Sequence, residues 1–153
     1  MALTVTWQDF AALSAAEIYR VLMLRQQVFV VEQLCAYLDA DGLDEAAIHG
    51  LGWDQDGGLV AVARILPPGS RFDMPSIGRI AVARHARGLG YGRTLVGLAL
   101  AETERRYPDR PVRIDAQAHL EQFYASFGFV RSGHPFDEDG IPHVAMISQS
   151  SSA

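Results

Sequence analysis

The sequence predicts a mixed α/β fold built on a central sheet, and three observations carry that reading. Short runs of alternating or continuous apolar residues recur along the chain, each bounded by Gly, Pro, Asp or Ser. Two segments place apolar residues at helical spacing. A turn with three glycines at alternate positions joins one of the apolar runs to one of those helices. The length of 153 residues suits one domain, expected over residues 1–148, with residues 149–153 as a frayed tail. A chain of this size buries about two thirds of its unfolded surface.

Taken in order, residues 3–7 (Leu-Thr-Val-Thr-Trp) alternate apolar and polar as a half-buried strand does. Ser14-Ala15-Ala16-Glu17 has the form of a capping box, and Ile18, Val21, Leu22, Arg25, Val28 and Phe29 follow at helical spacing. A helix is expected over residues 15–29, merging into a helical or looped stretch over 32–38. The loop at 39–46 is acidic. Residues 48–54 and 59–66 read as paired strands around Gln55-Asp56-Gly57-Gly58, and Pro67-Pro68-Gly69-Ser70 ends the hairpin. Residues 76–83 form the expected central strand.

The helix after the glycine turn is expected from Arg93 to Arg106, with Arg105 and Arg106 at its negative pole and Pro108 beyond its end. Gly97, inside it, suggests close packing against a strand. Residues 112–116 read as a strand and 120–127 as a short helix. Residues 129–132 and 143–147 read as two closing strands joined by a loop at 133–142.

Composition narrows the function. Hydrophobic content of 49% with 20% charged residues is ordinary for a globular protein. A net charge of −5 argues against a nucleic-acid partner and mildly favours cationic ones. The single cysteine, Cys35, cannot form an internal disulfide, and no histidine or acidic spacing suggests a metal site. No run approaches a membrane span, and residues 1–10 lack the organisation of a secretion signal, so a cytoplasmic protein without a membrane partner is expected.

The stretch Arg84-His85-Ala86-Arg87-Gly88-Leu89-Gly90-Tyr91-Gly92-Arg93 stands between the central strand and the helix. Glycines let its amides approach a ligand closely, and a helix N-terminus favours an anion, so the stretch reads as a phosphate or pyrophosphate cradle. A turn that merely reverses the chain is the plain alternative. It is not a Walker loop, because Gly92-Arg93-Thr94 lacks the lysine, and the chain has no lysine at all. It is not a dinucleotide fingerprint either, since Arg93 stands where the third glycine would be.

Arg87-Gly88-Leu89-Gly90-Tyr91-Gly92 resembles the acetyl-coenzyme A motif of the GNAT N-acetyltransferases, Gln/Arg-x-x-Gly-x-Gly/Ala. Phe123-Tyr124-Ala125-Ser126-Phe127-Gly128-Phe129 resembles that family's Y-x-x-x-G-F segment. The run from Leu24 to Gln33, Asp41-Gly42-Leu43-Asp44, His49 and the run from Glu138 to His143 resemble its ElaA-like branch. Nearly the whole chain is covered.

The resemblance implies a splayed central sheet flanked by helices and acetyl-CoA as co-substrate. It implies that the amides of Leu89, Gly90, Gly92 and Arg93 meet the pyrophosphate, with Gly88 and Tyr91 in the same turn. Arg87 would add its guanidinium, and Thr94 its amide and hydroxyl. It further implies that Ile80 and Val82 pair with the pantetheine arm, and that an amide of Val82 or Ala81 points at the thioester oxygen. Tyr124 would be the acid that protonates the departing thiolate; a buried aromatic beside Phe123 and Phe127 is the alternative.

The general base is open among Glu32, His49, Asp115, Glu138 and His143. His143 follows Ile141-Pro142, which should hold it stiffly, and Glu32 falls where such folds form an acceptor cleft. The acidic runs 39–45 and 137–139 suggest recognition of a cationic amine, or else ordinary solvated loops. Cys35 lies outside the matched motifs, which disfavours a Cys-acyl route.

The expected activity is transfer of an acetyl group to a primary amine by direct attack in a ternary complex. The alternatives are a non-catalytic acyl-CoA-binding or regulatory domain, and an acyltransferase using another acyl chain or a hydroxyl acceptor. The acceptor is a small-molecule or peptide amine of unspecified identity. The oligomeric state is open, a homodimer being one option.

Overall fold

The computed structural model describes residues 2–149, so most of the expected frayed tail, 150–153, lies outside the described residues. The strands are β1 (Thr4–Asp9), β2 (Ile48–Trp53), β3 (Leu59–Leu66), β4 (Ser76–Val82), β5 (Val112–Gln117), β6 (Phe129–Arg131), β7 (Phe136–Glu138) and β8 (Ile141–Ser148). They form one open sheet in the order β1-β2-β3-β4-β5-β8-β6, with β7 also paired to β8. All neighbours are antiparallel except β4 and β5.

That one parallel pair is short. Ser76 pairs with Arg113 and Ile77 with Ile114, and there the pairing stops. β4 continues to Val82 beside β3, while β5 continues to Gln117 beside β8. The sheet therefore splays between its two central strands. Register on the β3 side breaks just past the fork: Val62 pairs with Ala81 but Arg64 with Gly78, leaving Arg79 and Ile80 opposite Ala63 alone. Such a bulge bends its strand.

Three helices flank the sheet. α1 (Ala15–Arg25) starts with both bonds of the predicted capping box, Glu17 N–H to Ser14 Oγ at 3.1 Å and Ser14 N–H to Glu17 Oε1 at 2.9 Å. Such a cap is worth about 1 kcal/mol. Leu13, Val21, Leu24 and Val28 pack with Leu51, Val60, Val62 and Ala81 in one buried cluster. α2 (Tyr91–Arg106) buries Leu95 against Ala61 and Ala63, and Val96 and Ala99 among Ile65, Ile77, Ile114 and Val144. Each fully buried Leu, Ile or Val contributes about 1.5–3 kcal/mol. α3 (Glu121–Ala125) is a short helix ahead of Gly128, whose φ of 92° turns the chain into β6.

Several elements differ from expectation. The first helix leaves α geometry at Arg25 and continues as a π-helical stretch, Gln26–Glu32. Beyond Glu32 the chain loops over 33–38, one of the two forms expected there, and Leu34 has a φ of 53°. α2 begins two residues earlier than expected, at Tyr91. An ideal Cβ on Gly97 would meet Phe127 at 3.7 Å, so its neighbour is an aromatic ring rather than a strand. The loop expected at 133–142 contains β7, which pairs Phe136 with His143.

Candidate active site

The fork between β4 and β5 opens on a cleft of about 1120 Å³. Its lining includes Ile80, Val82 and Arg87 from β4 and the turn after it, Asp115, Gln117 and Tyr124 from β5 and α3, and Glu138 and His143 from β7 and β8. The unpaired edge of β4 follows from the ladder on its other side. Ala83 N–H donates to Val60 O at 2.7 Å, so by strand alternation the main-chain groups of Ala81 also face β3. Those of Val82, and of Ile80 beside the bulge, are left facing the fork. Ala81 was one of two amides expected to point at the thioester oxygen; its side chain is buried and its amide belongs to the ladder, so only Val82 keeps that orientation.

The glycine turn lies immediately after β4. Gly88 and Gly90 have φ of 83° and 80°, a region costly for residues with a Cβ, and Gly90 is the N-cap of α2. Among the described residues the amides of 88–93 find no intramolecular partner. Thr94 differs from expectation: its N–H donates to Gly90 O at 3.1 Å, leaving only the hydroxyl. Tyr91 contributes only its main chain, because the ring is buried in the α1-side core with its hydroxyl unpartnered.

Arg87 is also turned differently from expectation. Nε donates to Val82 O at 3.1 Å, and Nη1 and Nη2 donate to the two Glu32 oxygens at 2.5 and 2.9 Å. The guanidinium thus ties the end of β4 to the π-helical stretch instead of reaching over the turn. Hydrogen bonding to Arg87 outweighs desolvation and, with the charges of Arg87 and Arg84, holds the Glu32 carboxyl below its usual range. A carboxylate so held is a weak proton acceptor. Arg93 lies over the rings of Phe123 and Phe127 at 5.3 and 5.2 Å and donates to Ser126 Oγ at 3.2 Å, joining the first turn of α2 to α3.

Tyr124 on α3 lines the cleft while its ring packs edge-on against Phe123 and Phe129. Burial alone pushes its phenol up to about 12, so the group is a proton donor at any ordinary pH. His143 sits under Phe136, with the rings nearly parallel at 5.9 Å. Its Nδ1 is 2.7 Å from Ile141 O, and a carbonyl only accepts, so the proton is on Nδ1. In the neutral ring Nε2 carries the lone pair, and it lies 3.6 Å from Glu138 Oε2. Arg71 donates to Glu138 at 2.9 Å, and Arg113 Nε is 3.0 Å from Asp115. His49 is not a wall of this cleft. It is buried beneath Phe10 with Nε2 2.8 Å from Asp44 O, and burial lowers its pKa despite the Asp44 carbonyl and charge. Cys35 does line the cleft; its thiol donates to Asp139 O at 3.1 Å.

The aspartates of the acidic loop are paired with arginines rather than free to receive a cation. Arg25, only 1% exposed, binds Asp39 and Asp44, each at 2.8 Å. Arg64 binds Asp41 and Asp44 at 2.8 and 3.0 Å, and Arg79 Nε lies 2.8 Å from Asp39. Burial opposes ionisation of Asp41, but hydrogen bonds from Arg64 and the Leu43 amide and the charges of Arg64 and Arg79 outweigh it, bringing its pKa to about 2. Arg64, Arg71 and Arg79 were not singled out from sequence, although all three line the cleft. A run of aspartates in a chain whose only cations are arginines was the available signal.

An acyl-CoA N-acyltransferase is the class of enzyme that this splayed sheet and glycine turn define. Residues 21–149 match the model of the acetyltransferase (GNAT) domain, and the chain belongs to that family. It is 46% identical to a UPF0039 protein of Synechocystis sp. and 44% identical to the protein ElaA of Escherichia coli. Those alignments cover 96% of both chains in the first case, and 95% of this chain and 97% of ElaA in the second. Among solved structures, an acyl-CoA N-acyltransferase from Pseudomonas aeruginosa superposes with a TM-score of 0.91 at 41% identity, over 96% of this chain and 99% of the other. The crystal structure of E. coli ElaA superposes with a TM-score of 0.90 at 40% identity, over 97% of this chain and 100% of ElaA. Acyl-CoA is the co-substrate of this fold.

Proposed function

We propose that the protein transfers the acetyl group of acetyl-CoA to a primary amine while both are bound. One observation carries the reading: the main-chain edge of β4 at Ile80 and Val82, unpaired with β5 and occupied only at Val82 O by Arg87, opens on the cleft that Tyr124 and His143 also line. The glycine turn fits the pyrophosphate, since the free amides of Gly88, Leu89, Gly90, Tyr91, Gly92 and Arg93 converge at a helix N-terminus. The Thr94 hydroxyl adds a donor in the next position. The edge of Ile80 and Val82 takes the pantetheine amides as an added strand would.

The thioester supplies an acyl carbon open to attack and a thiolate leaving group. Val82 N–H stabilises the charge that develops on the carbonyl oxygen, a contribution of about 3–4 kcal/mol. Arg87, through Val82 O, fixes the peptide unit next to that donor. Tyr124 protonates the sulfur. His143 Nε2 accepts the proton of the incoming amine, and Glu138 steadies the imidazolium that results. Glu32 anchors Arg87 and takes no proton. The Cys35 thiol, bonded to Asp139 O, is not acylated.

The test is thiol release from acetyl-CoA with a panel of amines, followed by mass analysis of the products. N-acetylated amine is expected, from wild type and from Cys35→Ser alike. Binding of acetyl-CoA without turnover on any amine would leave a non-catalytic acyl-CoA-binding domain in its place.

A further inference from the structure

Arg79 stands in the middle of β4 with a φ of 48°, while its neighbour Gly78 keeps an ordinary backbone. It is the first bulged residue, two positions beyond the last β4–β5 pair at Ile77. A left-handed residue at this point turns the following segment away from β5. An arginine has no intrinsic preference for that conformation, so the side chain must hold it there.

The contacts that do so are specific. Nη2 donates to Asp39 O at 3.0 Å and to Asp41 Oδ2 at 3.3 Å, Nε forms an ion pair with Asp39 Oδ1 at 2.8 Å outside hydrogen-bond geometry, and the guanidinium lies over the Tyr37 ring at 5.7 Å. The anchors are themselves fixed. Asp39 is buried and accepts from Arg25 Nε at 2.8 Å and from the Tyr37 hydroxyl at 3.0 Å. Asp41 accepts from both terminal nitrogens of Arg64, at 2.8 and 2.9 Å. Arg25, Arg64 and Arg79 are matched by Asp39, Asp41 and Asp44, so the cluster has no surplus charge with which to hold a charged substrate.

We infer that Arg79 is a positioning residue whose clamp on Asp39 and Asp41 keeps β4 kinked and so keeps the edge of Ile80 and Val82 clear of β5. The kinetic arm of its test rests on the acyltransfer reading; amide exchange does not.

Three variants separate the possibilities. Arg79→Ala removes the clamp and keeps a Cβ that disfavours positive φ. Arg79→Gly and Arg79→Asn remove the clamp but adopt the left-handed region readily. In Arg79→Ala, β4 should relax towards β5. Amide exchange at Ile80 and Val82 should then slow by about tenfold or more, and kcat should fall about 100-fold, as a small misplacement of reacting groups produces. Affinity for 3′-phosphoadenosine 5′-diphosphate, which reaches only the glycine turn, should stay within about twofold of wild type. Arg79→Gly and Arg79→Asn should recover fast exchange and most of kcat.

Wild-type exchange and kcat in Arg79→Ala would overturn the inference. So would Gly and Asn variants with fast exchange but a kcat as low as that of the Ala variant, since the guanidinium would then act on substrate itself. Should Arg79→Ala not fold, Arg79→Leu takes its place, since it also loses the ion pairs and disfavours positive φ: slow exchange at Ile80 and Val82 supports the inference and wild-type exchange overturns it. Loss of turnover in wild type with exchange behaving as stated removes the acyltransfer reading and leaves the clamp standing.

Discussion

Replacing Tyr124 by Phe removes one oxygen from the cleft wall. Burial is the sole cause of the raised pKa of its phenol, which has no charged or hydrogen-bonded partner among the described residues. The ring is held by edge contacts to Phe123 and Phe129 at 5.1 and 6.3 Å, and phenylalanine preserves both. Stability should therefore change by less than about 0.5 kcal/mol. A positioned general acid contributes about 10²–10⁴-fold, or about 3–5 kcal/mol of barrier. The expected result is a kcat lower by at least about 100-fold with unchanged coenzyme A affinity. Because the wild-type phenol titrates at about 12 rather than 10, it should impose no alkaline fall in kcat up to about pH 10. Steady-state thiol release from pH 7 to 10, with calorimetry for coenzyme A, measures all of this. A Tyr124→Phe enzyme retaining more than about half of wild-type kcat would refute the acid role, because the thiolate would be leaving without its proton.

Further predictions concern the cradle and the buried charges. Gly90→Ala places a Cβ on a residue with φ of 80°; it should cost about 1–2 kcal/mol of stability and raise KM for acetyl-CoA, read by melting and initial rates. Arg25→Met removes the buried cation that Asp39 and Asp44 share and leaves Asp39 only its ion pair with Arg79, so a loss of about 3–5 kcal/mol is expected, or roughly 10 °C in Tm. Asp41, lowered from 3.8 to about 2, stabilises the fold above its unfolded pKa, and that contribution disappears as pH falls from about 4 through about 2. Its side chain is partly exposed, so solvent screening reduces the effect to about 1 kcal/mol. Asp41→Asn should flatten that part of the acid-denaturation curve.

The strands and α2 were legible because their signals are local. Alternation, a capping box and Pro108 act within a few residues, and β3 has the expected bounds of 59–66. The fork is different in kind. It arises where two strands distant in sequence stop pairing, beside a kink at Arg79, whereas backbone rules would assign positive φ to the adjacent Gly78. Partners of the acidic loop lie 14 to 40 residues away, so Asp39, Asp41 and Asp44 read as a solvated run until Arg25, Arg64 and Arg79 are folded onto them. β7 is three residues long and carries two acids, which hides it from any alternation test. At the site, motif spacing located the glycine turn and Tyr124. It could not reveal that Arg87 turns towards Glu32, that the Tyr91 ring points into the core, or that the Thr94 amide bonds Gly90 O, since each depends on side-chain direction or turn geometry.

The most direct measurement is titration of coenzyme A into the folded protein, followed by calorimetry and by amide resonances. Binding in the micromolar to millimolar range is predicted, with the largest shifts at Gly88, Gly90, Gly92 and Val82. Absence of binding heat in a protein with an intact melting transition, or shifts confined to residues away from that turn and edge, would contradict it.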